Sequence, residues 1–385
     1  MPKGPRPEAI PMNLSYWEIR SWLSDLDFCI VGSGITGLSC ALELQRLQPG
    51  ARILLLERGT FPQGASTKNA GFACFGSLTE ILEDLKSHSE EEVQQLVARR
   101  MSGISLLRGR LGDEALDFRQ YGGYEIFLEE EQALQEAALD EMDRVNRLLE
   151  PVFGRQPFEL RPNEFGLART LPRLVCNPLE GQIDTGRAMQ ALLDRVCENP
   201  IQILNGVRFL GYEDQGSEVC IRTDQFECRA RHLLLATNGF AGSQTGLEVL
   251  PARAQVLVTA PVPDLQIRGS FHLEAGYYYF RNVGDRVLLG GGRNLDKAGE
   301  TTEAFGQTPL IQERLEQLLH EVILPGAGAR IEHRWSGIMG VGPQKKPLLQ
   351  RLSANVSCGV RLGGMGVAIG SHVGAELAQL ATNPS

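Results

Sequence analysis

Among the 385 residues, no uninterrupted apolar run is long enough to span a bilayer. There is no C-x-x-C pair, no Cys/His ligand spacing and no H-E-x-x-H, so the sequence gives no reason to expect a metal. The eight cysteines are scattered, which suits reduced thiols in a cytoplasm. Positive charge is scarce and dispersed: 38 Lys and Arg against 47 Asp and Glu leave a net charge of −9. Phosphate neutralisation needs clustered cations, so nucleic acid is not an expected partner. The opening stretch MPKGPRPEAIPMN lacks an apolar core behind its basic residues and reads as a mobile tail, not a secretory signal. Short repeats and low-complexity segments are also missing. What remains has the composition of an ordinary globular protein, long enough for two domains.

The most informative stretch is DFCIVGSGITGLSCALELQRL. Asp27 to Val31 reads as a strand. From about Thr36 a helical pattern follows, with Leu38, Ala41, Leu42 and Leu44 recurring on one side. Between them lies G-x-G-x-x-G: Gly32 permits the tight turn, Gly34 lets the backbone approach a pyrophosphate, and Gly37 allows close helix packing. The helix start at Ile35 and Thr36 offers free N–H groups and a partial positive charge. RILLLE follows as an apolar strand, as in a parallel sheet covered on both faces. Glu57 ends that strand, where a carboxylate accepts hydrogen bonds from an adenosine ribose, and Arg58 stands beside it. A turn-forming role alone for the glycines leaves Glu57 unexplained. The unit predicts dinucleotide binding but does not choose between NAD and FAD.

Farther on, Ser89 and Glu92 form a capping-box pattern before a helix through EEVQQLVARRMSGISLLRGRL. A second helix through EEQALQEAALDEMDRVNRLLE places Leu134, Ala138, Met142, Val145 and Leu149 on one face and is expected to stop at Pro151. RAQVLVTAPV, GYYYFRN and DRVLLGGG alternate as antiparallel strands do. The expected fold is α/β: a Rossmann-type dinucleotide-binding domain with a discontinuous antiparallel-sheet substrate domain of α+β type. Residues 1–26 form a tail and helix, residues 27–88, 180–250 and 330–385 the first domain, and residues 89–179 and 251–329 the second.

Three separated segments carry a family likeness: Gly32 to Glu57, GASTKNAGF beginning at Gly64, and GGMGVAIG beginning at Gly363. LLLATNGFAG and RWSGIMGVGP match more weakly. Together they make the chain resemble the D-amino-acid-oxidase-like superfamily of FAD-dependent oxidoreductases, the group of glycine oxidase and sarcosine oxidase. The resemblance implies that the second segment passes the pyrophosphate and isoalloxazine of FAD. Ser66, Thr67 and Asn69 would then supply hydrogen bonds, and Ala70 and Gly71 would leave room for the ring. Gly364, Met365, Gly366 and Val367 would begin a helix aimed at the flavin, stabilising the negative charge of the reduced ring. Val207 matches a position beside adenine. Neither Ser66–Gly71 nor the neighbourhood of Trp335, Ser336 and Gly337 holds a His or Cys to tether the flavin, so the resemblance implies non-covalent FAD.

On the substrate side, alternation puts Tyr277, Tyr279 and Arg281 on one face of a strand and Tyr278 on the other. By resemblance, Tyr277 and Arg281 lie near the substrate cavity. Relatives acting on α-amino acids carry W-x-G-x-R-P, whose arginine clamps the substrate carboxylate. Here Met339 takes that place, and Arg281 or Arg293 is the candidate replacement. Lys345 and Lys346, and His272 and His333, are either functional cations and proton acceptors or ordinary solvated and structural residues. The implied activity is C–N oxidation of an amine or secondary amino acid by hydride transfer to FAD, with imine hydrolysis and reoxidation by oxygen or another acceptor. An FAD-dependent dehydrogenase of a hydroxy acid or polyol, and a flavin-bearing binding protein without turnover, are the alternatives.

Overall fold

A computed structural model describes residues 12–383. The first eleven residues of the expected tail lie outside that range. After them, Ser15 caps the short helix Tyr16–Glu18 through a capping box with Glu18, and one π-turn, Ile19–Leu23, leads into the first strand.

That strand, Leu26–Val31, is the middle of a sheet whose parallel members run Val356–Val360, Glu227–Leu235, Leu26–Val31, Ile53–Glu57 and Ile201–Asn205. Every residue of ILLLE is buried, as its unbroken apolar run predicts for a strand covered on both faces. Each fully buried leucine there stabilises the fold by roughly 1.5–3 kcal/mol. The helix Ile35–Leu47 covers one face, and the C-terminal helix Gly366–Thr382 lies against it. Their approach is close because Gly370 and Gly374 present no side chain. A Cβ at Gly374 would overlap the carbonyl oxygen of Thr36, and one at Gly370 would sit 3.1 Å from Ile35 Cγ2. Ser39 Oγ donates to Ser371 Oγ across the same contact at 3.2 Å.

The second sheet has eight strands, in the order Ile331–Val341, Leu250–Thr259, Arg286–Gly291, Tyr278–Val283, Ser270–Leu273, Gly123–Glu125, Arg173–Asn177 and Glu159–Pro162. All pairs are antiparallel except Ser270–Leu273 with Gly123–Glu125. One face carries Leu257, Phe271, Tyr278, Phe280 and Leu289 against the helix Pro309–Leu318. The other face looks toward the nucleotide-type sheet.

Three local features differ from the sequence expectation. Pro151 lies inside the helix Gln132–Phe153, which ends instead at Gly154, in the left-handed region at φ 71°. Proline removes one N–H to carbonyl bond but only two residues of helix remain beyond it, and it is the left-handed glycine that stops the helix. Leu134, placed by periodicity on the apolar face, is exposed, while Ala138, Val145 and Leu149 are buried. Ile331–Val341, assigned by sequence to the nucleotide segment beginning at 330, pairs along its length with Leu250–Thr259 in the second sheet.

Candidate functional site

The two uncapped helix starts come together. Gly34 and Met365, the residues preceding Ile35–Leu47 and Gly366–Thr382, make no side-chain cap hydrogen bond. Ile35 N donates to Ser66 Oγ, but the remaining N–H groups of the two first turns are free and present partial positive charge to one space. That space is a cavity of about 1000 Å³ running between the two sheets. Gly32 holds φ 104°, and its bare α-carbon lets the turn pass beneath the Ala236 carbonyl. Gly37 does not line the cavity. A Cβ there would overlap the Gly32 carbonyl, so its task is packing the helix onto the turn.

Glu57 is buried and already held by the chain. Its Oε2 accepts from Ser33 N at 3.2 Å and Ser33 Oγ at 2.8 Å, and its Oε1 accepts from Gly59 N at 2.9 Å. Gln63 N adds a longer bond to Oε1 at 3.4 Å, so all four lone-pair sites are engaged within the chain and an incoming hydroxyl would displace this weakest one most readily. Ser33 occupies a variable position of the glycine motif, and only the folded turn shows that it orients this carboxylate. Arg58 lies over the ring of Phe240, 3.7 Å from its centroid, and Val207 is buried alongside.

The GASTKNAGF turn begins as the 3-10 segment Ala65–Thr67. Ser66 Oγ accepts from Ile35 N at 2.9 Å, joining the turn to the helix start. Asn69 is its hub: Nδ2 donates to Ser66 O at 2.8 Å, and Oδ1 accepts from Gly71 N and Thr185 Oγ1, each at 2.8 Å. Thr67 Oγ1 donates to Pro62 O at 2.8 Å and faces away from the cavity. Gly71 adopts φ 74°, and any Cβ would overlap Ile183 O, so it shapes the turn without lining the space. Ser66, Asn69 and Ala70 do line it, together with Ile35, Thr36, Gly337, Gly364, Met365, Gly366 and Val367. Trp335 Nε1 donates to Lys68 O at 2.9 Å and pins the turn to the second sheet.

The second sheet forms the opposite wall. Its residues alternate as the sequence predicts: Tyr277 and Tyr279 line the cavity, while Tyr278 is buried on the far face. Phe72 meets Tyr279 and His272 edge-on, with ring centroids 5.6 and 5.3 Å apart. Met339 lines the cavity as well. Arg281 does not. It is buried behind the turn with Nη2 2.8 Å from where a Gly71 Cβ would stand. Burial pulls its guanidinium down to about 10, against the opposing pull of Asp184, Cys74 and Asp117. His333, the other histidine considered, stacks on Trp335 at 5.8 Å and lies outside the cavity lining.

Glu80, which lines the cavity, carried no sequence signal. Glu80 Oε2 accepts from Ser77 N at 3.0 Å in a capping box that starts the helix Leu78–Leu85. Burial pushes its carboxyl up, but His272, the Ser77 amide, Arg100 and Lys345 outweigh this and hold it below the ordinary range. Burial holds His272 below its ordinary value despite nearby Glu80, and its Nε2 has no hydrogen-bond partner. Cys74, Glu180 and His272 bring one potential donor atom each within 4.8 Å of one another. Glu180 already accepts from Phe75 N at 2.6 Å, and burial raises its carboxyl to about 7. Lys345 lines the cavity with its Nζ 3.1 Å from Asp84 Oδ1, whereas Lys346 pairs with Glu92 at 3.3 Å on the surface.

The residues fit a flavin dinucleotide. The helix start at Gly366 is bare, the one at Ile35 has spent only its first N–H on Ser66 Oγ, Thr36 Oγ1 is buried without a partner, and Gly363 and Gly364 have open space where side chains would be. The volume is at the upper end of the ordinary range for ligand sites.

Comparisons with known proteins agree with that fit. Gamma-glutamylputrescine oxidoreductase of Escherichia coli (strain K12) is 23% identical, over 92% of this chain and 83% of its own length. L-proline dehydrogenase from P. horikoshii superposes with a TM-score of 0.75 at 16% identity, covering 93% of each chain. Glycine oxidase from Geobacillus kaustophilus gives 0.73 at 19% identity, covering 93% of this chain and 95% of that one. At such identities the two solved structures establish the fold. The model of the FAD dependent oxidoreductase family matches residues 27–380, nearly the whole chain, and the protein belongs to that family.

Proposed function

We propose that this chain oxidises a C–N bond of an amine or amino acid, with FAD held non-covalently. The observation that carries this reading is a cavity that joins the helix starts at Ile35 and Gly366 to a wall of Tyr277, Tyr279, His272 and Met339. Gly32, Gly34, Ile35 and Thr36 would hold the diphosphate, Glu57 the ribose, and Val207 the adenine end. Ser66, Asn69, Ala70, Gly337, Met365 and Gly366 would frame the ring. When bound, FAD supplies the two-electron acceptor for hydride leaving the carbon next to nitrogen. The helix start at Gly366 stabilises negative charge placed before it. The tyrosines, Phe72 and Met339 exclude water and orient the substrate, which raises the chance of a productive approach.

Amine and amino-acid chemistry is supported by the names of the relatives: a gamma-glutamylputrescine oxidoreductase, a glycine oxidase and an iminodiacetate oxidase from Chelativorans sp. BNC1. Oxygen or another acceptor would complete the cycle. A cytoplasmic setting is supported by eight cysteines that are all free. No described helix is long and apolar enough to cross a membrane.

Anaerobic mixing of the holoenzyme with panels of amines, amino acids, hydroxy acids and polyols tests the reading. Loss of flavin absorbance with an amine or amino acid is the expected result. Bleaching by hydroxy acids or polyols alone would replace it with C–O oxidation, and bleaching by none of the panel, with dithionite still effective, would point to a binding role.

A further inference from the structure

Cys74, Glu180 and His272 form a donor set that gripping a dinucleotide does not require. Among the described residues, no other three groups of these kinds lie within 4.8 Å of one another. All three are buried, and His272 is only 7% exposed. They come from distant segments. Cys74 follows the short strand Phe72–Ala73, Glu180 precedes that strand's antiparallel partner Gly181–Gln182, and His272 lies in Ser270–Leu273 of the second sheet. No ligand spacing could therefore appear in the sequence.

The surroundings suit a cation. His272 Nε2 is sealed from solvent without a hydrogen-bond partner. A buried polar nitrogen is costly to leave unpaired, and a bound ion relieves that cost. Glu180 Oε1 accepts from Phe75 N at 2.6 Å, which fixes the carboxyl, and Oε2 fits only because Gly123 has no side chain: a Cβ there would stand 1.8 Å away. Cys74 Sγ lies 3.9 Å from Gly181 O, a long and weak contact. The positive charges nearby are spent: Arg100 donates to Phe75 O at 2.7 Å and lies 3.6 Å from Asp84, and Lys345 pairs with that same Asp84. Glu80, by contrast, sets its negative charge near all three donors. Zinc bonds of about 2.0–2.3 Å in a tetrahedron put donors about 3.4–3.8 Å apart, so the set has no more than about 1.4 Å to close. Magnesium and calcium take oxygen ligands, whereas a thiolate with an imidazole and a carboxylate is a donor set for zinc.

We propose that Cys74, Glu180 and His272 bind one zinc ion through a thiolate, a carboxylate oxygen and an imidazole nitrogen. On binding, the Cys74 proton leaves to solvent. Cys74 and His272 line the cavity and Glu180 does not, so the ion sits at the cavity's edge with its fourth position open toward Phe72 and Tyr279. The site stands apart from the flavin's chemistry: it would hold zinc whichever substrate the cavity takes.

The test uses the FAD-loaded full chain, stripped of metal by a chelator and desalted. It is titrated with zinc chloride against a chromophoric chelator, and with cadmium chloride to read the thiolate-to-metal charge-transfer band in the ultraviolet. One equivalent of zinc is expected to bind, and cadmium should produce the band until zinc displaces it. Cys74→Ser and His272→Gln should each weaken zinc binding by about a hundredfold or more, at least as much as losing an outer partner of a ligand does. Cys197→Ser, which removes an exposed thiol elsewhere, should leave both readouts unchanged. FAD content and circular dichroism confirm that each variant is folded. A parent that yields all its zinc to the chelator, or a folded Cys74→Ser or His272→Gln variant that binds zinc as the parent does, overturns the proposal. Should a variant not fold, the cadmium band decides. Present in both the parent and Cys197→Ser, it supports the site; absent from the parent or lost in Cys197→Ser, it overturns it.

Discussion

Replacing Asn69 by alanine should uncouple the ring-framing turn from the rest of the site. The sequence marks Asn69 as a residue that bonds the cofactor, but the structure spends its amide within the protein. Three hydrogen bonds of 2.8 Å tie it to Ser66 O, Gly71 N and Thr185 Oγ1, and a longer one reaches Ala65 O at 3.3 Å. At about 1 kcal/mol net for each short bond, the turn loses about 3 kcal/mol of ordering. If FAD must reorder it on binding, affinity falls by about 100-fold. Asn69→Asp keeps the Oδ1 acceptor and loses the donor, so it should retain most of that affinity where salt screens its new negative charge from the diphosphate. Apoprotein is titrated with FAD while quenching of flavin fluorescence is followed, with circular dichroism confirming that each variant is folded. A folded Asn69→Ala variant that binds FAD within threefold of the parent would refute the idea that a preformed turn contributes to cofactor affinity.

Two further perturbations follow from the same geometry. Gly71→Ala places a side chain at φ 74° and against Ile183 O and Arg281, so it should cost roughly 1–3 kcal/mol, read as a melting temperature several degrees lower; an unchanged melting temperature contradicts the packing. Glu180 is raised from 4.5 to about 7, chiefly by burial, so the native state holds its proton more tightly than the unfolded chain does. Its contribution is complete below pH 4.5 and is lost as the pH rises through about 7, a change of ~3 kcal/mol. Glu180→Gln should therefore raise the melting temperature relative to the parent at pH 8 and lose that advantage at pH 5, whereas an equal offset at both pH values would reject the assignment.

The nucleotide half was legible because its signals are local. Strand, glycine turn, helix and Glu57 lie within about thirty residues, and each physical requirement acts on neighbours in the chain. The family resemblance extended the reading to GASTKNAGF and GGMGVAIG, and the family match bears out that membership. What stayed hidden depends on contacts between distant segments. Nothing near Gly374 announces that it packs on Thr36 O, and nothing near Ser33 announces that it orients Glu57. Cys74, Glu180 and His272 meet only after three segments fold together. Arg281 and Arg293 were indistinguishable as sequence. Strand alternation gave Arg281 the correct face but not its depth, and the Gly292 turn that brings Arg293 to the cavity has no periodic pattern. Pro151 misled because a general stop signal was applied three residues before the glycine that ends the helix.

The central claim is that two helix starts facing one cavity grip FAD without a covalent bond. Acid precipitation of the purified holoprotein, followed by flavin analysis of pellet and supernatant, tests it most directly. The account predicts one equivalent of intact FAD in the supernatant and a colourless pellet, with FAD restoring the yellow form of gently prepared apoprotein. A pellet that keeps its flavin, or a correctly folded chain that neither carries nor takes up FAD, would contradict it.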